Sequence, residues 1–242
     1  QGDGQFTPGN RSTLTGFPVG IAVGDWNRDG KVDLAVALQG SAVGVNVLLG
    51  NGDGSFAAVV GADAGTHLMS VAAADWNRDG WLDLATANYF SVDVSVLAGS
   101  GSGTFRAPTG LSAGLTPRAV ASGDWNLDGK PDVAVLNDSG SVSVMLGDGA
   151  GGFNASANTT VSGPLMAFAV GDWNRDGKPD LAVANAGGQV FALFDQTDGG
   201  VARGTGNVST GMTANSMAVG DFDHDGKPDV VVAGHPGLRG GF

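Results

Sequence analysis

Apolar residues along this chain fall in short runs of four to six positions, and the runs recur in a set order. A first run of small apolar residues (Val19–Gly24, Val71–Ala74, Ala119–Gly123, Met166–Gly171, Met217–Gly220) leads into a nine-residue Asp-rich segment. A second run leaves that segment at once: Asp33–Leu38, Asp83–Asn88, Asp132–Asn137, Asp180–Asn185 and Asp229–Ala233. Unbroken small apolar sequence of this length predicts strands buried on both faces. A third run alternates, as in Val92-Asp93-Val94-Ser95-Val96 and Val142-Ser143-Val144, and predicts a half-buried strand. A Gly-rich turn then reaches an aromatic residue (Gly50–Phe56, Gly99–Phe105, Gly147–Phe153), and a more polar fourth stretch follows. Helical periodicity is weak throughout.

The Asp-rich segment Asp25–Asp33 returns at Asp75–Asp83, Asp124–Asp132, Asp172–Asp180 and Asp221–Asp229, with starts 50, 49, 48 and 49 residues apart. Four strands per period of this length describe one blade stacked on copies of itself. The expectation is an all-β fold: one β-propeller domain spanning 1–242, of about five four-stranded blades. The rising polarity from first to fourth strand suits a crowded hub and a wet rim. The chain begins and stops in mid-blade. Gly2-Asp3-Gly4-Gln5-Phe6 matches the hairpin before a fourth strand, and His235–Phe242 makes a poor third strand. The last blade is therefore expected to be incomplete or closed by both termini. The rivals are part of a larger ring or an assembly of several chains, which leaves self-assembly open.

Within each Asp-rich segment, positions 1, 3, 5 and 9 carry side-chain oxygens. They are Asp25, Asn27, Asp29 and Asp33; Asp75, Asn77, Asp79 and Asp83; Asp124, Asn126, Asp128 and Asp132; Asp172, Asn174, Asp176 and Asp180; and Asp221, Asp223, Asp225 and Asp229. Position 6 is always Gly, as a sharp turn requires. Position 7 varies (Lys31, Trp81, Lys130, Lys178, Lys227), as suits a residue that offers only its backbone carbonyl. Hard oxygen donors without His or Cys point to calcium, about five ions in all, over zinc, copper or magnesium. An EF-hand is excluded, because the chain has no Glu and position 12 falls in a strand. The bland alternative is a metal-free Asx-Gly turn.

Composition agrees with the metal reading. The net charge is −12, every acidic residue is Asp, and 16 of the 24 lie in the five segments. Five divalent cations would leave a charge of −2. No basic stripe suggests nucleic acid, no apolar run is long enough for a membrane span, and with no cysteine there is neither a disulfide nor a thiol nucleophile. A start at Gln1 suits a processed or excised product.

The combination Asp-x-Asn/Asp-x-Asp-Gly-x-x-Asp between two apolar strands, followed by Gly-x-Gly-x-Phe, resembles the FG-GAP or VCBS-type repeat of integrin α-subunit propellers and many secreted bacterial proteins. The resemblance covers nearly the whole chain. It implies a propeller whose calcium loops join the first two strands of each blade. It also implies that the calcium is mainly structural, and that partners bind the opposite face or the clefts between blades.

Position 2 is aromatic in every copy (Trp26, Trp76, Trp125, Trp173, Phe222) and is expected to be a packing wedge between blades. Trp81, Tyr89 and Phe90 have no aromatic counterparts in other copies and form the candidate contact for a glycan or protein. Arg28, Arg78 and Arg175 at position 4 are expected on the solvent side of their loops. His67, His224 and His235 are scattered, and no Ser–His–Asp arrangement is visible. The expectation is a non-catalytic recognition or adhesion module, extracellular or on a cell surface, binding a glycan or an extracellular protein. Calcium is plentiful there, so sites with affinities of about 10⁻⁴–10⁻³ M would fill. The alternatives are a scaffold cut from a larger secreted protein such as a polysaccharide-degrading enzyme, and an enzyme with its site in the central channel.

Overall fold

The computed structural model describes residues 11–196 and 198–236. Blade 1 comprises β1 (Phe17–Gly24), β2 (Asp33–Gln39), β3 (Val45–Gly50) and β4 (Phe56–Ala62). Blade 2 follows with β5 (Leu68–Ala74), β6 (Asp83–Asn88), β7 (Asp93–Leu97) and the short β8 (Thr109–Leu111). Blade 3 holds β9 (Pro117–Gly123), β10 (Asp132–Asn137), β11 (Ser141–Gly147) and β12 (Phe153–Thr160). Blade 4 holds β13 (Leu165–Gly171), β14 (Asp180–Asn185), β15 (Gln189–Asp195) and β16 (Val201–Ser209). Blade 5 has β17 (Thr213–Gly220) and β18 (Asp229–His235).

Each of the first four sheets is an antiparallel meander in sequence order, and the fifth has two strands. This is a β-propeller of about five blades, with no helix among the described residues. Among the described residues the last blade has two strands. The termini proposed to close it, residues 1–10 and 237–242, lie outside the described residues. The first strands of successive blades pack side by side around a common axis, and all five line one cavity of about 610 Å³. Among the described residues the sheets are not closed into a ring by hydrogen bonds.

Burial corrects the hub-to-rim expectation. The second strands β6, β10 and β14 are buried along their whole length, while the first strands are only half-buried because one face lines the channel. The small residues of the second strand let neighbouring sheets approach face to face, and their burial is the main hydrophobic stabilisation of the fold. The position 2 aromatic is the wedge between blades. Trp26, Trp76 and Trp125 are fully buried, each sharing a cluster with residues of the next blade's second and third strands. Trp76 meets Phe153 of blade 3 edge-on with ring centroids 6.3 Å apart, and its Nε1–H donates to the Asp132 carbonyl at 3.3 Å.

Candidate functional site

The five Asp-rich segments form five loops at one end of the molecule, each joining the first two strands of its blade. They share one internal hydrogen-bond pattern, except that in the second loop the Asp79 N–H bonds Asn77 alone and leaves Asp75 Oδ1 without it. In the first loop the Asp25 carboxylate accepts the N–H of Asp29 at 3.1 Å and of Gly30 at 2.9 Å. Asn27 Oδ1 also accepts the Asp29 N–H, at 3.1 Å, and Asp29 Oδ1 accepts the Lys31 N–H at 3.0 Å. The side-chain oxygens of positions 1, 3 and 5 are thereby turned into the loop. Gly30 has φ 79°, and the other position 6 glycines lie in the same left-handed region, as the sharp turn predicted.

Position 4 is left-handed too, at φ 54–62°, although it is never Gly: Arg28, Arg78, Leu127, Arg175 and His224. No sequence signal marked this strain, which non-Gly residues pay for with about 1 kcal/mol. The position 4 arginines are exposed, as the solvent-side expectation had it, and each also reaches the next blade. The Arg28 guanidinium lies over the Trp81 ring, 4.5 Å from its centroid. Arg78 approaches Gly149 in the blade 3 hairpin, and Arg175 donates to the Gly226 carbonyl of blade 5. Leu127 provides no such polar contact from blade 3 to blade 4.

The position 9 carboxylates have a role that spacing alone did not reveal. In blade 3, Asp132 is fully buried; Oδ2 accepts the Trp125 N–H at 2.8 Å and Oδ1 the Gly147 N–H at 2.8 Å. Asp33, Asp83 and Asp180 make the same pair of bonds, the second from Gly50, Gly99 and Asp195. Each ties its loop to the end of the third strand. Burial pushes Asp83, Asp132 and Asp180 above the usual carboxylate range, against the opposing pull of these N–H donors.

The donor set fits a hard cation on two observations. Asp75 Oδ1 is buried without a hydrogen-bond partner among the described residues, and carboxylate oxygens of Asp221, Asp223 and Asp225 lie within 4.8 Å of one another. Three loops also direct an ammonium at the position 5 carboxylate: Lys31 Nζ lies 3.2 Å from Asp29 and Lys130 Nζ 2.9 Å from Asp128, and Lys227 pairs with Asp225. Hydrogen bonding from Lys130 and Lys227 holds Asp128 and Asp225 below the usual carboxylate range. Lys178 instead reaches Asp195, at 3.0 Å, in blade 4.

The three aromatics grouped from sequence do not make one surface. Trp81 precedes β6 and Tyr89 follows it, so the length of a strand, about 20 Å, separates the calcium-loop end from the opposite end. Tyr89 and Phe90 do stay together, with ring centroids 5.6 Å apart. His67, which sequence left as scattered, stacks on Phe90 at 4.0 Å. Tyr89 Oη donates to Asp138 of the next blade at 3.0 Å, which raises the Tyr89 pKa. Phe90 itself stays exposed.

A family model described as FG-GAP-like repeat matches residues 25–86, 83–135, 124–183 and 172–232. No curated protein matches the chain. Among solved structures, the chain is similar to BBS1N in crystals of its complex with ARL6DN. The lead-soaked form has a TM-score of 0.59 at 12% identity, covering 83% of this chain and 59% of that one. The mercury-soaked form has a TM-score of 0.63 at 12% identity, covering 91% and 64%. A protein from Lactobacillus plantarum is similar with a TM-score of 0.61 at 17% identity, covering 90% and 64%. The chain thus spans about three-fifths of the length of these solved chains, and at such identities the likeness is one of fold.

Proposed function

This chain belongs to the FG-GAP-like repeat family, and from that premise we propose that it is a non-catalytic recognition module, extracellular or on a cell surface, stiffened by calcium in its five loops. The observation that carries this reading is the recurrence of one inward-turned set of oxygen donors in all five loops, with Asp75 Oδ1 left without a partner. Positions 1, 3 and 5 would hold the ion with the position 7 carbonyl, and position 9 would add its carboxylate while keeping its backbone bonds. Calcium would neutralise carboxylates that otherwise repel one another. Calcium would displace the ammonium groups of Lys31, Lys130 and Lys227 from three of these carboxylates.

For recognition we favour the end opposite the loops, where Phe90 stacks on His67 beside Tyr89 and presents an open aromatic face. Such a face suits a sugar ring or an apolar side chain of a protein partner.

Melting in millimolar calcium and again in EDTA tests the metal. At free calcium ten times the dissociation constant each site contributes about 1.4 kcal/mol, so five sites together rival a domain's whole stability of about 5–15 kcal/mol. A large drop in Tm on chelation is expected, and an unchanged melt removes the calcium reading. A glycan array in calcium, repeated after chelation, tests recognition. Binding to a defined sugar that Phe90→Ala abolishes would establish a lectin, and a blank array with calcium-loaded protein would direct the search to protein partners or a scaffold role.

A further inference from the structure

Every blade carries a β-bulge at the same place in its first strand. Where that strand pairs with the second, one residue is skipped: Val19, Met69, Arg118, Met166 and Asn215. Each stands six positions before the first Asp of its loop. A bulge leaves its extra residue outside the ladder and re-aims the side chain. Here all five skipped residues line the central cavity of about 610 Å³. Each lies near the start of its strand, so the five sit toward the end of the cavity away from the loops. The backbone device repeats, but its side chains do not. Loop positions 1, 5, 6 and 9 are Asp, Asp, Gly and Asp in every blade, whereas the bulge holds Val, Met, Arg, Met and Asn in turn.

This ring holds a single charge. Among the described residues Arg118 is the only charged side chain lining the cavity, in a chain of net charge −12. It belongs to blade 3, the blade farthest along the array from both chain ends. The side chain is half-buried, and its Nε–H donates to the Met166 carbonyl of blade 4 at 3.3 Å. That bond orients the guanidinium and leaves its two Nη groups, a fork that fits a carboxylate end-on. Among the described residues neither Nη group has an acceptor and Arg118 has no ion pair. Asp138, at the same end of blade 3, accepts from Tyr89 Oη instead.

The walls beside the guanidinium are apolar and adaptable. Met69 and Met166 flank it in the ring, and Phe168 and Met217 line the cavity two residues further along their strands. Thioether side chains reshape around an apolar ligand, and the volume lies in the range of small-molecule sites. With no carboxylate in the lining, the cavity offers nothing to a cation. A dianion such as a phosphate monoester would keep one charge uncompensated against apolar walls, whereas one guanidinium neutralises one carboxylate. We propose that the central cavity binds a small monocarboxylate with an apolar body. The Arg118 Nη groups hold the carboxylate, and Met69, Met166, Met217 and Phe168 enclose the rest. The site is separate from the loops and from the Phe90 face, and it requires neither calcium nor a macromolecular partner.

Hexanoate and hexan-1-ol, titrated against the whole chain carrying methionine labelled with carbon-13 at its methyl, provide the test. Of the five methionines, Met69, Met166 and Met217 should shift saturably with hexanoate. Met145, buried between blades 2 and 3, should stay in place. Hexan-1-ol has the same body without the charge and should bind about tenfold or more weakly, as loss of a charge-assisted hydrogen bond implies. Hexyl phosphate should also bind more weakly than hexanoate. Arg118→Met gives blade 3 the residue that blades 2 and 4 already carry at the bulge. It should leave the melt near that of the parent and abolish the preference for acid over alcohol. Equal binding of acid and alcohol overturns the proposal, as does hexanoate affinity that survives Arg118→Met. So does the absence of shifts at the three cavity methionines, and tighter binding of hexyl phosphate overturns the carboxylate assignment. The acid and alcohol comparison uses the parent chain and therefore decides the matter even if the variant fails to fold.

Discussion

Blades 3 and 5 open with closely similar segments, Asp124–Asp132 and Asp221–Asp229, and the two loops fold alike. The N–H of position 5 reaches the first Asp at 3.1 and 3.0 Å, and that of position 6 at 2.9 Å in both. Their surroundings diverge. Trp125 is 0% exposed and Phe222 60%; Asp132 is sealed with two donors and Asp229 is partly open with one among the described residues. The same contrast appears at the other end of the arc, where Ile21 is 60% exposed and its counterpart Val71 in blade 2 is 7%. A loop's conformation is therefore local, made by Asx hydrogen bonds and two left-handed residues. The burial that turns a loop into a structural joint comes from the blade that follows it.

This contrast can be broken by experiment, and the strongest test is the wedge. Trp125→Ala should cost about 3–5 kcal/mol by leaving a cavity between blades, whereas Phe222→Ala should stay within about 0.5 kcal/mol, as at an exposed site. Equal shifts in denaturant midpoint would mean that blade 5 is covered in solution. Next, Asp132→Ala should cost about 2–6 kcal/mol, since two N–H groups lose their acceptor at about 1–3 kcal/mol each when buried. Asp229→Ala should cost less than half of that in calcium-free buffer, and a matching loss would show that its second donor exists. Third, Gly147→Ala forces a Cβ to 2.2 Å from the Pro131 carbonyl oxygen and should cost about 1–3 kcal/mol by overpacking. Thermal melts that leave Gly147→Ala at the parent Tm would contradict that close approach. The smallest effect is expected at the one inner joint without an arginine bridge: Leu127→Arg should add up to about 0.5 kcal/mol, and that gain should fade in high salt. A gain that persists in salt would point to packing rather than charge.

Much of this was legible in the chain. The fivefold segment predicted the loops, and the apolar runs predicted both strands flanking each of them. β6, β10 and β14 have the predicted bounds, because Asp begins each strand and Asn ends it. Position 6 was readable because only Gly enters the left-handed region without Cβ strain. Position 4 was not readable, since Arg, Leu and His give no sign of a left-handed backbone; the surrounding hydrogen bonds impose it. The grouping of Trp81 with Tyr89 and Phe90 failed because nearness in sequence across a strand becomes separation by the strand's full length. His67 escaped notice because its partner Phe90 lies 23 positions along the chain, across a strand pairing that brings the two ends together.

The sequence by itself determined the unit: four strands, a loop of inward-facing carboxylates, and an aromatic wedge, all written in a pattern within about 49 residues. Only the tertiary structure decided what each copy of that unit experiences. Whether a position 2 aromatic is sealed, whether a position 9 carboxylate finds its second N–H, and where a position 4 arginine lands all depend on the adjoining sheet. The physical reason is range. Hydrogen bonds in a tight turn close over a few residues, while burial and charge pairing require surfaces brought together from about 50 residues away.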